Sequence, residues 1–407
     1  MLELLFLVPK SLERFHNNPL AAQLELFSSK MNALGYSHVS IRMKVYLLAR
    51  LGNWISRRKI LVAMLNEEVI NKFAISQNMS RRRGEYSTLH RFLKLLQEEE
   101  IVSTPVVPNK EPLEQLLDIY ATYLTNERGL TDVAFARYHP FIKKFIVSRF
   151  SHIDAIRPAD VVMFVATQSK TMARKRAQLM TSSLKSFFRF LLQKGIIKID
   201  LAAAVPSVAN WNQVAVPKSL PPALIEHLIR TCRKKRSHRD FAIILLLSRL
   251  GLRACEIVRM ELDDIDWQAG EFLVRGKGKA FERLPMPQDV GKALAHYLQF
   301  ERPSSATRKI FIRSRAPHLG LANSIAICTI VSRLMIQAKI KAPTKGISSH
   351  LFRHSLATKI LKRGGSLIEI SQILRHKSQT TTEIYAKVDI EGLRSLAQIW
   401  PKSGVTL

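Results

Sequence analysis

At roughly 150 residues per domain, a chain of 407 residues implies two or three domains. Hydrophobic residues make up 47% and charged residues 23%, with only 16 Gly and 17 Pro, which excludes a disordered, collagen-like or low-complexity chain. The 63 Lys and Arg outnumber the 32 Asp and Glu to give a formal charge of +31, a self-repulsion most simply offset by a polyanion: nucleic acid first, an anionic membrane surface second.

The opening MLELLFLVPK has no basic n-region and only a short apolar run, so no signal peptide is expected. The longest apolar stretch, 241–247 (FAIILLL), falls far short of the ~18 residues a membrane span needs. Cys232, Cys255 and Cys328 are too few and too scattered for a disulfide framework or a zinc site, which fits a reducing, intracellular compartment. Two Pro-bearing stretches without helical period, 103–112 and 206–222, read as linkers. They leave segments of about 1–104, 112–205 and 219–407.

The first two segments are helical by period. Leu113, Leu116, Leu117, Tyr120 and Leu124 fall on one helix face, as do Leu184, Phe187, Phe188, Leu191 and Leu192. The segments also align with each other. Gly35-Tyr36-Ser37 with Leu47, Leu48 and Leu51 matches Gly129-Leu130-Thr131 with Phe141, Ile142 and Phe145 at an offset of 94. Phe92, Leu95, Leu96 and Ile101 match Phe188, Leu191, Leu192 and Ile197 at an offset of 96. Shared helical periodicity alone explains part of this; a duplicated module, each copy opening with a Gly turn and a Ser/Thr N-cap, explains it more sharply. Each copy carries clustered cations, Arg81, Arg82 and Arg83 in one and Lys170, Arg174, Lys175 and Arg176 in the other, placed for phosphate contact.

The third segment mixes helices and strands. Helices are expected at about 222–234, 238–250, 253–262, 289–302, 322–339, 348–363, 366–375 and 379–387. Residues 271–275 and 283–286 read as a hairpin whose tip, Gly276-Lys277-Gly278-Lys279, carries lysine. The acidic run Asp263-Asp264-Ile265-Asp266 reads as a solvated turn rather than a metal site.

No GxxxxGK[ST] loop, HExxH or paired CxxC occurs, so neither nucleotide hydrolysis nor a resident metal is expected. What remains is a set of cations, imidazoles and one phenol. Arg253 follows Gly251-Leu252 at a helix start, and His350 and Arg353 share a helix face at i and i+3. His376 ends a helix and Tyr385 follows nine residues later. Together they suit a phosphodiester. Two guanidiniums grip the non-bridging oxygens as charge builds in the transition state. A histidine assists a tyrosine nucleophile, and a hairpin lysine protonates the departing oxygen.

Gly251-Leu252-Arg253-Ala254-Cys255-Glu256, Gly276-Lys277-Gly278-Lys279, His350-Leu351-Phe352-Arg353-His354, Leu374-Arg375-His376 and Tyr385 stand in the order and spacing of the tyrosine site-specific recombinases, the phage integrase family, which the chain resembles over about 112–400. From Ala202 to Asp389 it is most similar to the recombinases of three-gene mobile elements. The resemblance implies a mainly helical, multidomain fold. It would comprise a helical core-binding module, 112–205, and an α+β catalytic domain, 219–407, with a small β-sheet; if the internal repeat is a true duplication, 1–104 is a second N-terminal helical (SAM-like) DNA-binding module. It implies Tyr385 as the nucleophile that forms a 3′-phosphotyrosine, Arg253 and Arg353 on the scissile phosphate, and Lys277 as general acid. His350 would assist proton transfer, His376 would bond a non-bridging oxygen, and Glu256 would support them. It implies no cofactor and no metal, a tetramer assembled on double-stranded DNA sites with sister recombinases as further partners, and a cytoplasmic, nucleoid-associated location. Arg375 stands where the family commonly has Gly, and 1–104 exceeds the simpler members.

The C-terminal residues Leu393, Leu396, Ile399 and Trp400 are apolar at helical spacing and suit packing on their own domain or on a neighbouring protomer. Two other classes stay open at this point. A non-catalytic architectural protein accounts for the charge, and a type IB topoisomerase shares the chemistry without pairing two sites.

Overall fold

The computed structural model describes residues 1–79, 84–103, 111–130, 132–147, 149–208, 217–234, 237–276, 281–341, 349–376, 381–388 and 394. Two compact units result, one of residues 1–105 with 216–407 and the other of 106–215. The expected mainly helical architecture with one small sheet is what the chain adopts.

Residues 1–103 form α1 (Leu2–Leu5), α2 (Pro9–His16), α3 (Ala21–Ala33), α4 (His38–Arg57), α5 (Glu67–Ser76) and α6 (Gly84–Glu98) around a core of their own that includes Phe27, Leu48, Leu51 and Phe92. Ser37 caps α4 by accepting from the Ser40 N–H, and Asn66 caps α5 through Val69. The second unit holds α7 (Pro112–Asn126), α8 (Asp132–Ile146), α9 (Pro158–Ser169) and α10 (Arg174–Gln193). Phe145, Phe187 and Phe188 fill its centre. Both helical sets turn at a glycine of positive φ, Gly35 at +80° and Gly129 at +61°. The aligned pairs Leu48 and Ile142, Leu51 and Phe145, and Phe92 and Phe188 are all fully buried; Leu96 is buried while Leu192 is not.

The last segment is built on α11 (Pro222–Lys234) and α12 (His238–Leu250). From Ala242 to Leu247 the α12 residues are sealed from solvent, so the helix is apolar all round and central. Its buried Arg239 and Asp240 are paired, Arg239 also donating to the Ile312 carbonyl. There follow α13 (Ala254–Arg259), β1 (Ile265–Asp266), β2 (Glu271–Arg275), β3 (Phe281–Pro285), α14 (Gln288–Phe300), α15 (Ser324–Gln337), α16 (His350–Leu361) and α17 (Leu367–Leu374). The strands lie in the order β1-β2-β3, all antiparallel, with Val274 opposite Glu282 and Arg275 opposite Phe281. Phe272 and Val274 point into the core while β3 stays largely exposed.

Three local expectations need correction. The helix expected over 253–262 ends at Arg259. The run 263–266 is solvated only at Asp263 and Asp266: it enters β1 through a 3₁₀ turn, while Asp264 is buried and its carboxylate bonds both Arg275 and the Glu261 N–H. An acidic side chain on an element edge with an arginine in reach is worth more paired than hydrated. Tyr385 lies on a 3₁₀ turn, Glu383–Val388, rather than an α-helix. The hairpin tip 277–280 and the apolar C-terminal residues 393, 396, 399 and 400 lie outside the described residues.

α12 ends at Gly251, left-handed at φ +59°. A Cβ there would sit 3.0 Å from Leu374 Cδ2 and 3.1 Å from Leu356 Cδ2, so α16 and α17 pack onto the turn because it is bare. Gly251→Ala is expected to cost ~1–2 kcal/mol in backbone strain. Thermal unfolding should show the melting temperature falling by roughly 2–8 °C.

Candidate active site

The Gly251 turn also places the first charges. Its carbonyl accepts from Arg353 Nη1 at 2.8 Å, and two residues later Arg253 is the N-cap of α13. Glu256, at the third position of α13, reaches back to the Arg253 N–H at 2.8 Å and takes the Arg253 Nη1–H at 2.7 Å. Its carboxylate is 2% exposed and also accepts from Arg375 Nη2 at 2.7 Å. One buried carboxylate thus serves two guanidiniums. Arg253 keeps an open side, its side chain 31% exposed, while the buried Arg353 has an Nη2 group without a hydrogen-bond partner among the described residues. Burial, then the nearby Arg253 and Arg375, push Arg353 down to about 10, still charged at neutral pH. An incompletely satisfied guanidinium beside an open one is a seat for an anion.

Arg375 closes the other side. It is left-handed at φ +53°, the C-cap of α17, where a glycine would be relaxed. Its side chain is 6% exposed, and its Nε pairs with Glu282 on β3 at 3.3 Å. Its carbonyl lies 3.5 Å from Arg253 Nη2. The residue therefore ties the strand hairpin to the arginine–glutamate pair, at the cost of a strained backbone.

Imidazoles and the phenol line the remaining wall. Tyr385, 1% exposed, is hydrogen-bonded through its hydroxyl to His354 Nδ1 at 2.8 Å. The His376 ring lies parallel to Tyr385 at 6.4 Å between centroids, and its Nδ1 meets Thr382 Oγ1 at 2.7 Å. His350 begins α16, with its ring 6.5 Å from that of His354. Burial and the surrounding arginines lower the proton affinity of all three histidines, His376 to about 4. Burial pushes the Tyr385 phenol up to about 12, with Arg353 pulling against it. A phenol held neutral in this way can act as a nucleophile only if a proton acceptor or an incoming charge helps it to ionise.

Arg253, Glu256, His350, Arg353, His376 and Tyr385 therefore converge, all in one unit. Lys277 lies outside the described residues, as do Arg81, Arg82 and Arg83. Lys170, Arg174, Lys175 and Arg176 belong to the other unit, all exposed, at the end of α9 and in the first turn of α10. Residues that the sequence reading did not single out are His354, Thr382 and Arg375's ion pairs. His354 was findable: at i+4 from His350 it shares that residue's helix face. Among the described residues no group of three or more His, Cys, Asp and Glu could hold a metal, and no helix is long and apolar enough to cross a membrane.

Known proteins decide the family. The phage integrase family profile matches residues 218–391. Over 399 residues the chain is 35% identical to a putative integrase/recombinase, y4rA, of Sinorhizobium fredii, a match spanning 96% of this chain and 97% of that protein. The chain belongs to the phage integrase family, the tyrosine recombinases. It is also 30% identical over 292 residues to the tyrosine recombinase XerD of Mycobacterium tuberculosis, spanning 69% of this chain and 86% of that one. Among solved structures, the XerH recombinase bound to a palindromic difH substrate in a post-cleavage complex shares the fold, with a TM-score of 0.53 at 17% identity over 82% of this chain and 95% of that one. The family inferred from the five motifs is thus borne out.

Two outcomes follow for this recombinase. Glu256→Ala leaves the buried Arg375 with Glu282 alone and Arg253 with solvent, beside the buried Arg353, and is expected to destabilise the fold by about 3 kcal/mol, read as a lowered melting temperature. The depressed histidines set a pH dependence. An unfolded imidazole takes up a proton near pH 6.5, whereas folded His376 refuses it until about 4, so stability holds above pH 6.5 and falls as the pH drops toward 4. Melting curves across that window should show the decline, and His376→Gln should flatten it.

Proposed function

We propose that this tyrosine recombinase cuts and rejoins double-stranded DNA at specific sites through a 3′-phosphotyrosine, moving a transposon-like element of the three-gene kind. The observation that carries this reading is the Tyr385 hydroxyl held, from the same chain, among Arg353, His354 and His376. A non-catalytic DNA-binding protein has no use for a phenol placed so; a type IB topoisomerase would, and is separated below by its indifference to site sequence.

In this reading the scissile phosphate lies against Arg253 and Arg353, whose uncommitted N–H groups, exposed on Arg253 and buried on Arg353, strengthen their hold as the phosphorus becomes five-coordinate. Tyr385 attacks, Lys277 protonates the departing 5′ oxygen, His376 bonds a non-bridging oxygen, and His350 assists proton movement. Glu256 keeps Arg253 in place. The phosphotyrosine conserves the energy of the broken bond, so rejoining draws on neither ATP nor a metal. Residues 112–205 would close on DNA from a second domain. The cations Arg174, Lys175 and Arg176 sit at the N-terminal end of α10, where the helix dipole already favours an anion, so their mutual repulsion is relieved by phosphate. Residues 1–104, with Arg81, Arg82 and Arg83, would read a further stretch of the site as a related module. Assembly would be tetrameric on two sites, in the cytoplasm at the nucleoid, alone or with sister recombinases.

Covalent protein–DNA adducts should form on a nicked duplex selected by the full chain from a random pool, and vanish in Tyr385→Phe. Equal adduct formation on any duplex would favour the topoisomerase reading. Arg353→Lys, which loses the fork geometry, should slow cleavage by about 10²–10³-fold. Full activity in EDTA is expected. Removing 1–104 should shorten the DNA footprint; an unchanged footprint and affinity would strip that segment of its role.

A further inference from the structure

Among the described residues His354 is the one imidazole hydrogen-bonded to the Tyr385 hydroxyl, and no part of the mechanism so far uses it. Its Nδ1 stands 2.8 Å from Tyr385 Oη, the ring is fixed on α16 one residue after Arg353, and the phenol ring lies 5.6 Å away, tilted by 58°. The hydroxyl itself carries a proton that must leave as the oxygen bonds to phosphorus. We propose that His354 is a catalytic residue, the base that takes the Tyr385 proton during strand cleavage and returns it during rejoining.

This rests on the reading of Tyr385 as nucleophile. As Oη bonds to phosphorus its O–H bond breaks and the proton passes to His354 Nδ1; the P–O5′ bond breaks and the leaving oxygen takes a proton from Lys277. In rejoining, the 5′ hydroxyl gives its proton back to Lys277, and His354 gives its own back to the phenol. The step requires the tautomer with the hydrogen on Nε2 and the lone pair on Nδ1, which is a neutral ring. Burial, His350 and Arg353 keep the ring neutral at neutral pH, so the lone pair is free to accept. A DNA phosphate between Arg253 and Arg353 brings negative charge beside the ring, which raises its proton affinity at the moment the phenol needs an acceptor.

The test uses the full chain, single-turnover cleavage of the selected nicked duplex, and two phenols at position 385: tyrosine and a fluorinated, more acidic tyrosine. With tyrosine, His354→Asn is expected to slow cleavage by about 10²–10⁴-fold with DNA affinity unchanged. With the fluorinated phenol, which needs less help to ionise, the loss should shrink to below about tenfold. That ratio is measured within folded variants, so a general loss of structure cancels; His354→Gln supplies a second side chain if the first proves unstable. Rejoining from the isolated adduct should slow to the same extent. An equal loss with either phenol, or cleavage as fast as or faster than wild type, overturns the proposal, the latter assigning His354 to a resting latch. Absence of any wild-type adduct overturns the nucleophile reading itself, a different result from a wild-type adduct with His354 variants unaffected.

Discussion

A single carboxylate makes the arginine cluster possible. Burial first, and then the nearby Arg253, lower the proton affinity of Arg353 and Arg375, and Arg253 and Arg375 meet at Glu256, which is almost wholly removed from water. Without that shared anion, desolvation and like-charge repulsion would both act on groups that cannot escape by losing a proton. With it, the cluster is held together yet remains short of negative charge. That deficit is the useful part: a fully neutralised site would have nothing left to offer a phosphate.

The fold supplies the rigidity this requires. α12 is buried on every side and so cannot shift without disturbing the whole core, and it ends in a bare turn against which α16 and α17 lie. Three arginines of the site are then fixed by attachment to that turn or to its neighbours: Arg353 by the Gly251 carbonyl, Arg253 by the N-cap of α13, Arg375 by the end of α17. Preorganised dipoles and charges need no reorganisation when the reaction's own charge develops, which is where their catalytic worth lies. The overall excess of cations acts at longer range, drawing DNA to the surface before any close contact forms.

Much of this was legible in the order of residues. The sealed α12 announced itself as FAIILLL, the hairpin strand as EFLVR, and the site as a set of motifs whose value lay in being found together. Elements of three residues or fewer were not legible: β1 has two, and it exists because β2 offers a partner, not because Ile265 and Asp266 favour extension. Asp264 read as solvated because its partner, Arg275, is distant in sequence and reached only through the sheet. Arg375 was legible only as a charge where the family commonly has Gly, since neither its left-handed backbone nor its bonds to Glu256 and Glu282 can be inferred from one chain position. His354 was in view, but a second histidine beside an arginine has no meaning until the tyrosine is seen to fold back on it.

The burial of Tyr385 has one more consequence. The side chain is packed among Leu361, Ile370 and Leu374 and its hydroxyl is already engaged. A phenol so enclosed hardly meets bulk solvent, so what its oxygen can touch is decided by the side chains around it rather than by chance encounter.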